Sequence, residues 1–180
     1  MFKRIETNLP GVAVIKPRVF EDERGGFVKT YHAGLFRDMG LELEPKEEFF
    51  SISRKGVIRG MHFQMPPSAH AKLVYCIAGR ILDVVLDLRR SSGCYGSVFC
   101  SEISGVNREM VFIPAGCAHG FLALEDGTTT AYLAGTVHDP ARDVGILWSS
   151  IGVAWGVPNP IVSTRDEQHP PLADFDTPFA

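Results

Sequence analysis

The chain has 180 residues, which is enough for one domain with a sizeable core and too few for two large ones. Its formal net charge is −3 at pH 7, and 45% of its residues are hydrophobic and 22% charged. This balance argues against a global attraction to nucleic acid or to an acidic membrane surface. No stretch reaches the ~18 apolar residues of a membrane span, and the N-terminus has no apolar signal core. We therefore expect a cytoplasmic protein.

The four cysteines, Cys76, Cys94, Cys100 and Cys117, show no C-x-x-C spacing. Most of them have apolar neighbours, which is typical of buried free thiols. This pattern predicts a reducing compartment and no disulfide framework.

The predicted elements are almost all short β-strands separated by Gly, Pro, Asn and Asp. The only clear helix candidate runs from Ala33 to Met39 and ends at Gly40. We predict the strands Val12–Ile15, Phe27–Tyr31, Phe49–Ser53, Ala71–Ile77, Ile81–Leu88, Ser97–Ile103, Glu109–Ile113, Gly120–Leu124 and Thr129–Ala134. Strands at this spacing favour an antiparallel sandwich or barrel. After Trp155 the chain is proline-rich and aperiodic, and we expect it to run over the surface.

Two histidine motifs are the strongest signs of chemistry. His62 ends the segment Arg59-Gly-Met-His62, and His119 ends Pro114-Ala-Gly-Cys-Ala-His119. Each histidine could be an acid/base, a metal ligand or a core residue. The second motif resembles one found in the metal-binding cupins, but their first motif has two histidines and a glutamate, where this chain has only His62-Phe-Gln64. Two ligands are too few for a stable site, so we expect no metal. Cys117, two residues before His119, is only a weak signal for a nucleophile.

The order of motifs along the chain resembles the dTDP-4-dehydrorhamnose 3,5-epimerase family over about residues 5 to 172. The resemblance rests on Arg24-Gly25, Arg59 to His62, Ala71-Lys72, Asp83 to Arg89, Pro114 to Leu122, Tyr132, Gly145 to Trp148 and Ser163 to Asp166. It implies an all-β cupin-type jelly roll, a double-stranded β-helix with one short helix and an irregular C-terminal tail. It also implies a homodimer without metal or organic cofactor. The chain would be one domain, with a core over about residues 5–156 and a tail, 157–180, that contributes Asp166.

The implied reaction inverts C3, C5 or both in a nucleotide-diphospho-4-keto-6-deoxy sugar. The keto group acidifies the neighbouring hydrogens, so a base can form an enolate and an acid can return a proton to the opposite face. The resemblance makes His62 the base and Asp166 the carboxylate that orients it. It assigns the enolate oxygen to Lys72 and the returning proton to Tyr132.

The resemblance also implies a set of binding residues. Arg24 and Arg59 match positions that hold the diphosphate, for which a guanidinium fork is well suited. His119 matches a second histidine in the active site. Phe27 and Ser51 lie in the two segments that match nucleotide-binding positions.

Four residues depart from the family pattern. Lys29 replaces a glutamate near the nucleobase that the partner subunit contributes, and Glu47 and Phe49 replace two amides. A lysine donates where thymine also donates, so Lys29 and Glu47 fit cytosine better and make a CDP-linked sugar the alternative substrate. His138 stands where a second tyrosine shapes the sugar pocket. It is a candidate replacement proton donor, and it leaves open whether one or two centres are inverted.

Two further alternatives remain open at this point. A 3,4-ketoisomerase on the same scaffold would also need a histidine base. A cupin that only binds a sugar nucleotide would not need an acid opposite a base. Among the other polar residues, we assign structural roles to Asp83 and Asp87 and place the side chains of His32, His70 and His169 at the surface.

Overall fold

The computed structural model describes residues 1–180 and consists mainly of antiparallel β-structure. The strands are β1 (Phe2–Glu6), β2 (Ala13–Pro17), β3 (Val19–Asp22), β4 (Gly25–Val28), β5 (Glu47–Ser53), β6 (Ile58–Gln64), β7 (Lys72–Ala78), β8 (Arg80–Asp87), β9 (Val98–Ser104), β10 (Met110–Ile113), β11 (Cys117–Ala123), β12 (Thr128–Ala134) and β13 (Asp143–Gly145). The helices are α1 (Ala33–Asp38) and α2 (Thr164–Glu167), with 3₁₀ turns at Arg90–Ser92, Trp148–Ser150 and Leu172–Asp174. None of these helices has the length and apolar character needed to cross a membrane.

Two antiparallel sheets form the body of the protein. One has the strand order β1-β2-β10-β7-β12-β5, and the other has the order β13-β6-β11-β8-β9. The hairpin β3–β4 forms a separate two-stranded sheet. Apart from the consecutive pairs β1–β2 and β8–β9, neighbours within each sheet are not consecutive in the chain, as in a jelly roll. The predicted all-β, cupin-type fold is confirmed.

Apolar side chains fill three layers, one between the sheets and one outside each of them. The central layer joins Val74 and Val111 of the six-stranded sheet to Val85 and Phe121 of the other. Leu73, which precedes Val74 in β7, points to the other face of the sheet and into an outer cluster. Because successive side chains of a strand alternate between faces, a strand buried on both faces reads as a continuous apolar run. The prediction of many short apolar strands therefore succeeded.

The C-terminal tail packs as the third layer rather than running loosely over the surface. Trp155 belongs to the buried cluster on the outer face of the five-stranded sheet. Phe175 and Phe179 pack their rings against Phe63 of β6, with centroid distances of 5.5 and 5.9 Å. The expectation of a surface tail is thus wrong for these apolar residues, and the tail is held next to β6.

The strand that carries His62 was the main element missed from the sequence. In β6, the glycine and charged residues interrupt the apolar alternation that marks a strand. Its pairing with β11 matches His62 to His119 and Arg59 to Phe121, so three steps on β6 face two on β11. This β-bulge brings Arg59 and His62, an odd number of residues apart, to the same cavity.

Two facing glycines make the bulge sterically feasible. Gly60 has φ 129°, a conformation that disfavours other residues. A Cβ atom on Gly60 would lie 2.5 Å from Gly120 Cα and 2.9 Å from the carbonyl oxygen of His119. β6 and β11 can therefore approach closely only with glycine at this crossing.

Candidate active site

A cavity of about 390 Å³ lies between the two sheets, within the size range of small-molecule sites. The six-stranded sheet contributes Glu47, Phe49, Ser51, Lys72, Tyr132 and Ala134, and the five-stranded sheet contributes Arg59, His62, Phe63, Gln64, His119, Phe121 and Asp143. Loop residues His70, Thr136 and His138 complete the lining. The two walls therefore present different chemical groups to one bound molecule.

His62 is oriented by a buried carboxylate from the tail. Its Nε2 atom lies 2.7 Å from Asp166 Oδ1, and the backbone N–H of Gly60 donates to Asp166 Oδ2 at 3.0 Å. Burial alone would raise the pKa of Asp166, but its hydrogen bond with His62 is the largest of the contacts that instead lower this pKa to about 2. The ionised carboxylate places the imidazole proton on Nε2, which leaves Nδ1 able to accept another.

The tail reaches this position through its own hydrogen bonds. Ile161 pairs in parallel with Val57, just before β6, by accepting from the N–H of Ile58 and donating to the carbonyl of Gly56. Ser163 then caps α2, accepting from the N–H of Asp166 at 3.1 Å. A four-residue helix with an N-cap directs the carboxylate inward, and Asp166 is only 3% exposed.

A second histidine–carboxylate pair lies on the same wall. His119 Nε2 is 2.6 Å from Asp83 Oδ2, and both side chains are buried. Asp87, by contrast, binds Arg89 at 2.7 Å. The structural role expected for two aspartates thus fits Asp87, whereas Asp83 orients a histidine that lines the cavity. Asp83 and His119 are both visible in the sequence. Their proximity is not, because it depends on the pairing of β8 with β11 in the folded sheet.

Lys72 brings a positive charge to the cavity at the start of β7. Its Nζ atom lies 3.5 Å from the carbonyl oxygen of His62. Burial lowers the pKa of Lys72 to about 8, although the charges of Asp143 and Asp83 oppose the change. Most of the lysine is therefore protonated at pH 7, but it loses its charge more readily than an exposed lysine.

Tyr132 stands on the wall opposite His62. It is paired with Phe49 across β12 and β5, and the two rings stack with centroids 4.7 Å apart. Its hydroxyl lies 3.5 Å from Ser51 Oγ. Burial raises the pKa of the phenol far above its usual value of 10, so Tyr132 keeps its proton at neutral pH.

Polar contacts tie together the residues at one side of the cavity. Glu47 Oε2 accepts from the backbone N–H of His138 at 2.7 Å. His138 Nε2 lies 3.1 Å from Asp143 Oδ2, which also binds Arg165 of α2 at 2.8 Å. Arg59 donates from Nε to Ser53 Oγ at 3.1 Å and has an exposed guanidinium edge. The predicted residues Glu47, His138 and Arg59 therefore all reach the cavity of their own chain.

Three predicted binding residues do not reach it. Arg24, Phe27 and Lys29 lie in or beside the β3–β4 hairpin and are absent from the cavity lining. The side chain of Arg24 is 86% exposed and pairs with Asp22. These three residues therefore lie outside the cavity of their own chain.

Two histidines that were expected at the surface, His70 and His169, are partly buried near the site. His70 lines the cavity, and burial lowers its pKa. His169 is only 11% exposed and stands beside His62 and Asp166. Ligand atoms of His62, Asp166 and His169 lie within 4.8 Å of one another, close enough to consider a metal. The 2.7 Å contact between His62 and Asp166 fits a hydrogen bond better. His169 lies two residues beyond the end of α2, where the sequence carries no helical pattern that would place it next to Asp166.

Comparison with known proteins places the chain among sugar epimerases. The sequence model of the dTDP-4-dehydrorhamnose 3,5-epimerase family matches residues 6–174. The chain is 40% identical over 178 residues to the dTDP-4-dehydrorhamnose 3,5-epimerase of Methanothermobacter thermautotrophicus, covering 96% of each. It is 36% identical to a dTDP-4-dehydrorhamnose 3-epimerase of Streptomyces niveus, covering 92% of this chain and 82% of that one.

The fold agrees with a solved relative along its whole length. The epimerase of Legionella pneumophila, solved in complex with dTDP-4-keto-L-rhamnose, superposes with a TM-score of 0.95 at 28% identity. The match covers 100% of this chain and 99% of that one. The similarity therefore includes the C-terminal tail that carries Asp166.

The depressed pKa of Lys72 gives a direct test of the cavity's electrostatics. We expect the Cε signal of Lys72 to titrate near pH 8 in the ¹³C NMR spectrum of lysine-labelled protein, because burial disfavours the ammonium. The signal is assigned by its loss in Lys72→Met. Below about pH 8 the buried ammonium lowers the free energy of unfolding, because the lysine binds its proton more tightly in the unfolded chain. This loss of stability disappears as the pH rises from about 8 to 10.5. A midpoint near 10.5 would mean that the ammonium is fully hydrated.

Proposed function

The chain belongs to the dTDP-4-dehydrorhamnose 3,5-epimerase family, and we propose that the cavity between its two sheets is the active site. The protein is an isomerase-class epimerase that acts on a nucleotide sugar in deoxysugar biosynthesis. One observation carries the proposal: a carboxylate-oriented histidine and a protonated tyrosine line opposite walls of one cavity. Inversion at carbon requires this, since the proton leaves one face and returns to the other.

In the first proposed step, His62 Nδ1 removes the proton next to the sugar carbonyl. The imidazolium that forms keeps its Nε2–H bond to Asp166, which supplies the compensating negative charge. The ammonium of Lys72 stabilises the enolate oxygen. In a cavity partly shielded from water, a fixed positive charge is more effective than in bulk solvent.

In the second step, Tyr132 donates its proton to the other face of the enolate. Burial keeps the phenol neutral until then. The resulting phenolate is stabilised by the Ser51 hydroxyl and by the positive charge of Arg59, both of which act to lower the pKa of Tyr132. His119 lies on the wall of His62, with its ring 6.0 Å from that of Tyr132, and contacts the sugar from there.

The identity of the nucleotide and the number of inverted centres are also part of what we propose. The relatives' names favour a thymidine diphosphate sugar and include both a 3,5-epimerase and a 3-epimerase. Lys29 and Glu47 favour cytidine as the second candidate, because they can donate to and accept from groups that only cytosine offers. Glu47 is partly committed to the backbone of His138. We therefore place the thymidine nucleotide first.

We propose a homodimer in which the β3–β4 hairpin of one chain reaches the cavity of the other. This arrangement would bring Arg24, Phe27 and Lys29 to the nucleotide. Edge strand β5 also exposes Phe50 and Ile52, at 64% and 62%, and an exposed apolar strand edge suits a subunit interface.

The cysteines support a reducing, cytoplasmic environment. No disulfide is present, and Cys76 and Cys117 are buried, whereas Cys100 is exposed, so the prediction of buried thiols holds only in part. Burial raises the pKa of Cys117 to about 12, which leaves it a poor nucleophile beside His119. We also propose that residues 1–180 act as one domain, because the tail packs on β6 and supplies Asp166.

The first test measures proton exchange in D₂O. We expect deuterium to enter C3, C5 or both of dTDP-4-keto-6-deoxyglucose, more slowly with the CDP analogue, as followed by NMR. His62→Ala should slow the exchange by about 100-fold or more, because it removes the base. His32→Ala is the matched control, since His32 caps α1 far from the cavity. Unchanged exchange in His62→Ala would contradict the assignment, and a carbonyl moved to C3 would indicate a ketoisomerase.

A tyrosine variant separates removal of the proton from its return. Tyr132→Phe should still form the enolate, because His62 and Lys72 remain. His62 then returns a deuteron to the original face, so the substrate is recovered labelled but not inverted. NMR distinguishes this product from the epimer. Tyr95→Phe, an exposed tyrosine outside the cavity lining, is the control. Inversion at the wild-type rate in Tyr132→Phe would assign the acid to another group.

Subunit mixing tests the shared site. Neither His62→Ala nor Arg24→Ala should be active alone if both residues serve each cavity. Mixed in equal amounts and allowed to exchange subunits, they should recover about a quarter of the wild-type activity, because half of the dimers then contain one intact cavity. No recovery, with subunit exchange verified by mass spectrometry, would contradict a hairpin shared between subunits.

A further inference from the structure

A second imidazole lies behind the proposed base. The ring of His169 stands edge-on to that of His62, with the centroids 5.8 Å apart and 78° between the ring planes. His169 Nε2 lies 3.7 Å from Asp166 Oδ1, the same oxygen that contacts His62. One carboxylate oxygen therefore faces two histidines, of which only His62 lines the cavity.

The space for this second ring exists because residue 145 is glycine. Gly145 pairs with His62 across β13 and β6. A Cβ atom at Gly145 would overlap the Nε2 and Cδ2 atoms of His169. The side chain of His169 is 11% exposed, and its Nε2 atom is buried without a hydrogen-bond partner. Packing thus holds an unsatisfied polar atom against the carboxylate.

A buried nitrogen beside a carboxylate has one favourable protonation state. A neutral imidazole carries its proton on either nitrogen. A proton on Nε2 directs an N–H dipole at Asp166, whereas a lone pair there would face the negative charge. Movement of about 0.7 Å would bring the 3.7 Å separation to hydrogen-bond length. The ring is therefore placed to become a further donor to Asp166, beside His62 and the backbone N–H of Gly60.

The charged groups around His169 come from three elements. They are His62 on β6, Asp143 on β13, and Asp166 and Arg165 on α2. Burial lowers the pKa of His169, and the charge on His62 lowers it further, while the two aspartates act in the opposite direction. When His62 takes a proton, a neutral neighbour can still donate to Asp166.

We propose that His169 is a positioning residue that gives Asp166 a third N–H donor, after His62 and Gly60, and so keeps the Nε2 proton on His62. This inference rests on the proposed role of His62 as base. Each additional N–H bond that a carboxylate accepts makes it bind a proton less tightly, so Asp166 competes less for the Nε2 proton of the imidazolium. His169 acts through Asp166 and does not touch the sugar.

The test compares His169→Leu with His169→Asn in the exchange reaction from pH 5 to 9. Leucine fills the space without a donor, whereas asparagine keeps an N–H group. We expect leucine to lower kcat about tenfold with little change in KM. It should also raise the acidic midpoint of kcat/KM by about half a pH unit, because Asp166 then acts more strongly on His62. Asparagine should restore most of both values.

Independent measurements separate this role from simple packing. An imidazole ¹⁵N NMR titration reads the pKa of His62 directly in each variant, and the melting temperature reports whether the fold is intact. A folded leucine variant with wild-type kcat and an unmoved midpoint would overturn the proposal. Equal losses in both variants with an unmoved midpoint would also overturn it, leaving only a packing role. Absence of exchange in the wild type would instead overturn the proposed function together with this inference.

Discussion

The hydrogen bond between His62 and Asp166 is the contact on which the site depends. It joins residues 104 positions apart, one on β6 and one in the C-terminal tail. A carboxylate that is only 3% exposed is costly unless it is paired, and here it is paired with His62 and with the backbone N–H of Gly60. The tail must therefore be docked for the imidazole to have its proton on the correct nitrogen. The docking of the last layer therefore also orients the histidine that we propose as the base.

The two facing sheets place this oriented imidazole opposite Tyr132, its partner in the proposed acid–base pair. Lys72 and Tyr132 come from the six-stranded sheet, and His62 and His119 come from the other. Burial acts on both groups of the first wall by disfavouring their charged forms. It keeps Tyr132 protonated, and it brings Lys72 near the limit at which it still carries charge at neutral pH. Burial thus keeps the proposed acid, Tyr132, protonated and makes the ammonium of Lys72 easier to deprotonate.

Much of the fold could be predicted because its strands are strongly apolar. The predicted strand Ile81–Leu88 appears as Arg80–Asp87, and the predicted helix Ala33–Met39 as Ala33–Asp38. β6 was missed because Gly60 breaks its alternation, and α2 because four residues leave no periodic signal. The residues that were wrongly placed also lie in segments without a periodic apolar pattern. The sequence places His169 at the surface, because the residues around it do not indicate that the tail folds back onto β6.

By itself, the sequence determined which chemical groups are available. The family and its type of reaction are identified by the motif around His62, the lysine at position 72 and the carboxylate at position 166. This is possible because each side chain's chemistry follows directly from its residue type. Only the tertiary structure decided how these groups face one another. The bulge at Gly60 turns Arg59 and His62 to one side, strand order sets Asp83 beside His119, and Gly145 makes room for His169. These relations depend on register and close approach between distant segments, which no local pattern of residues encodes.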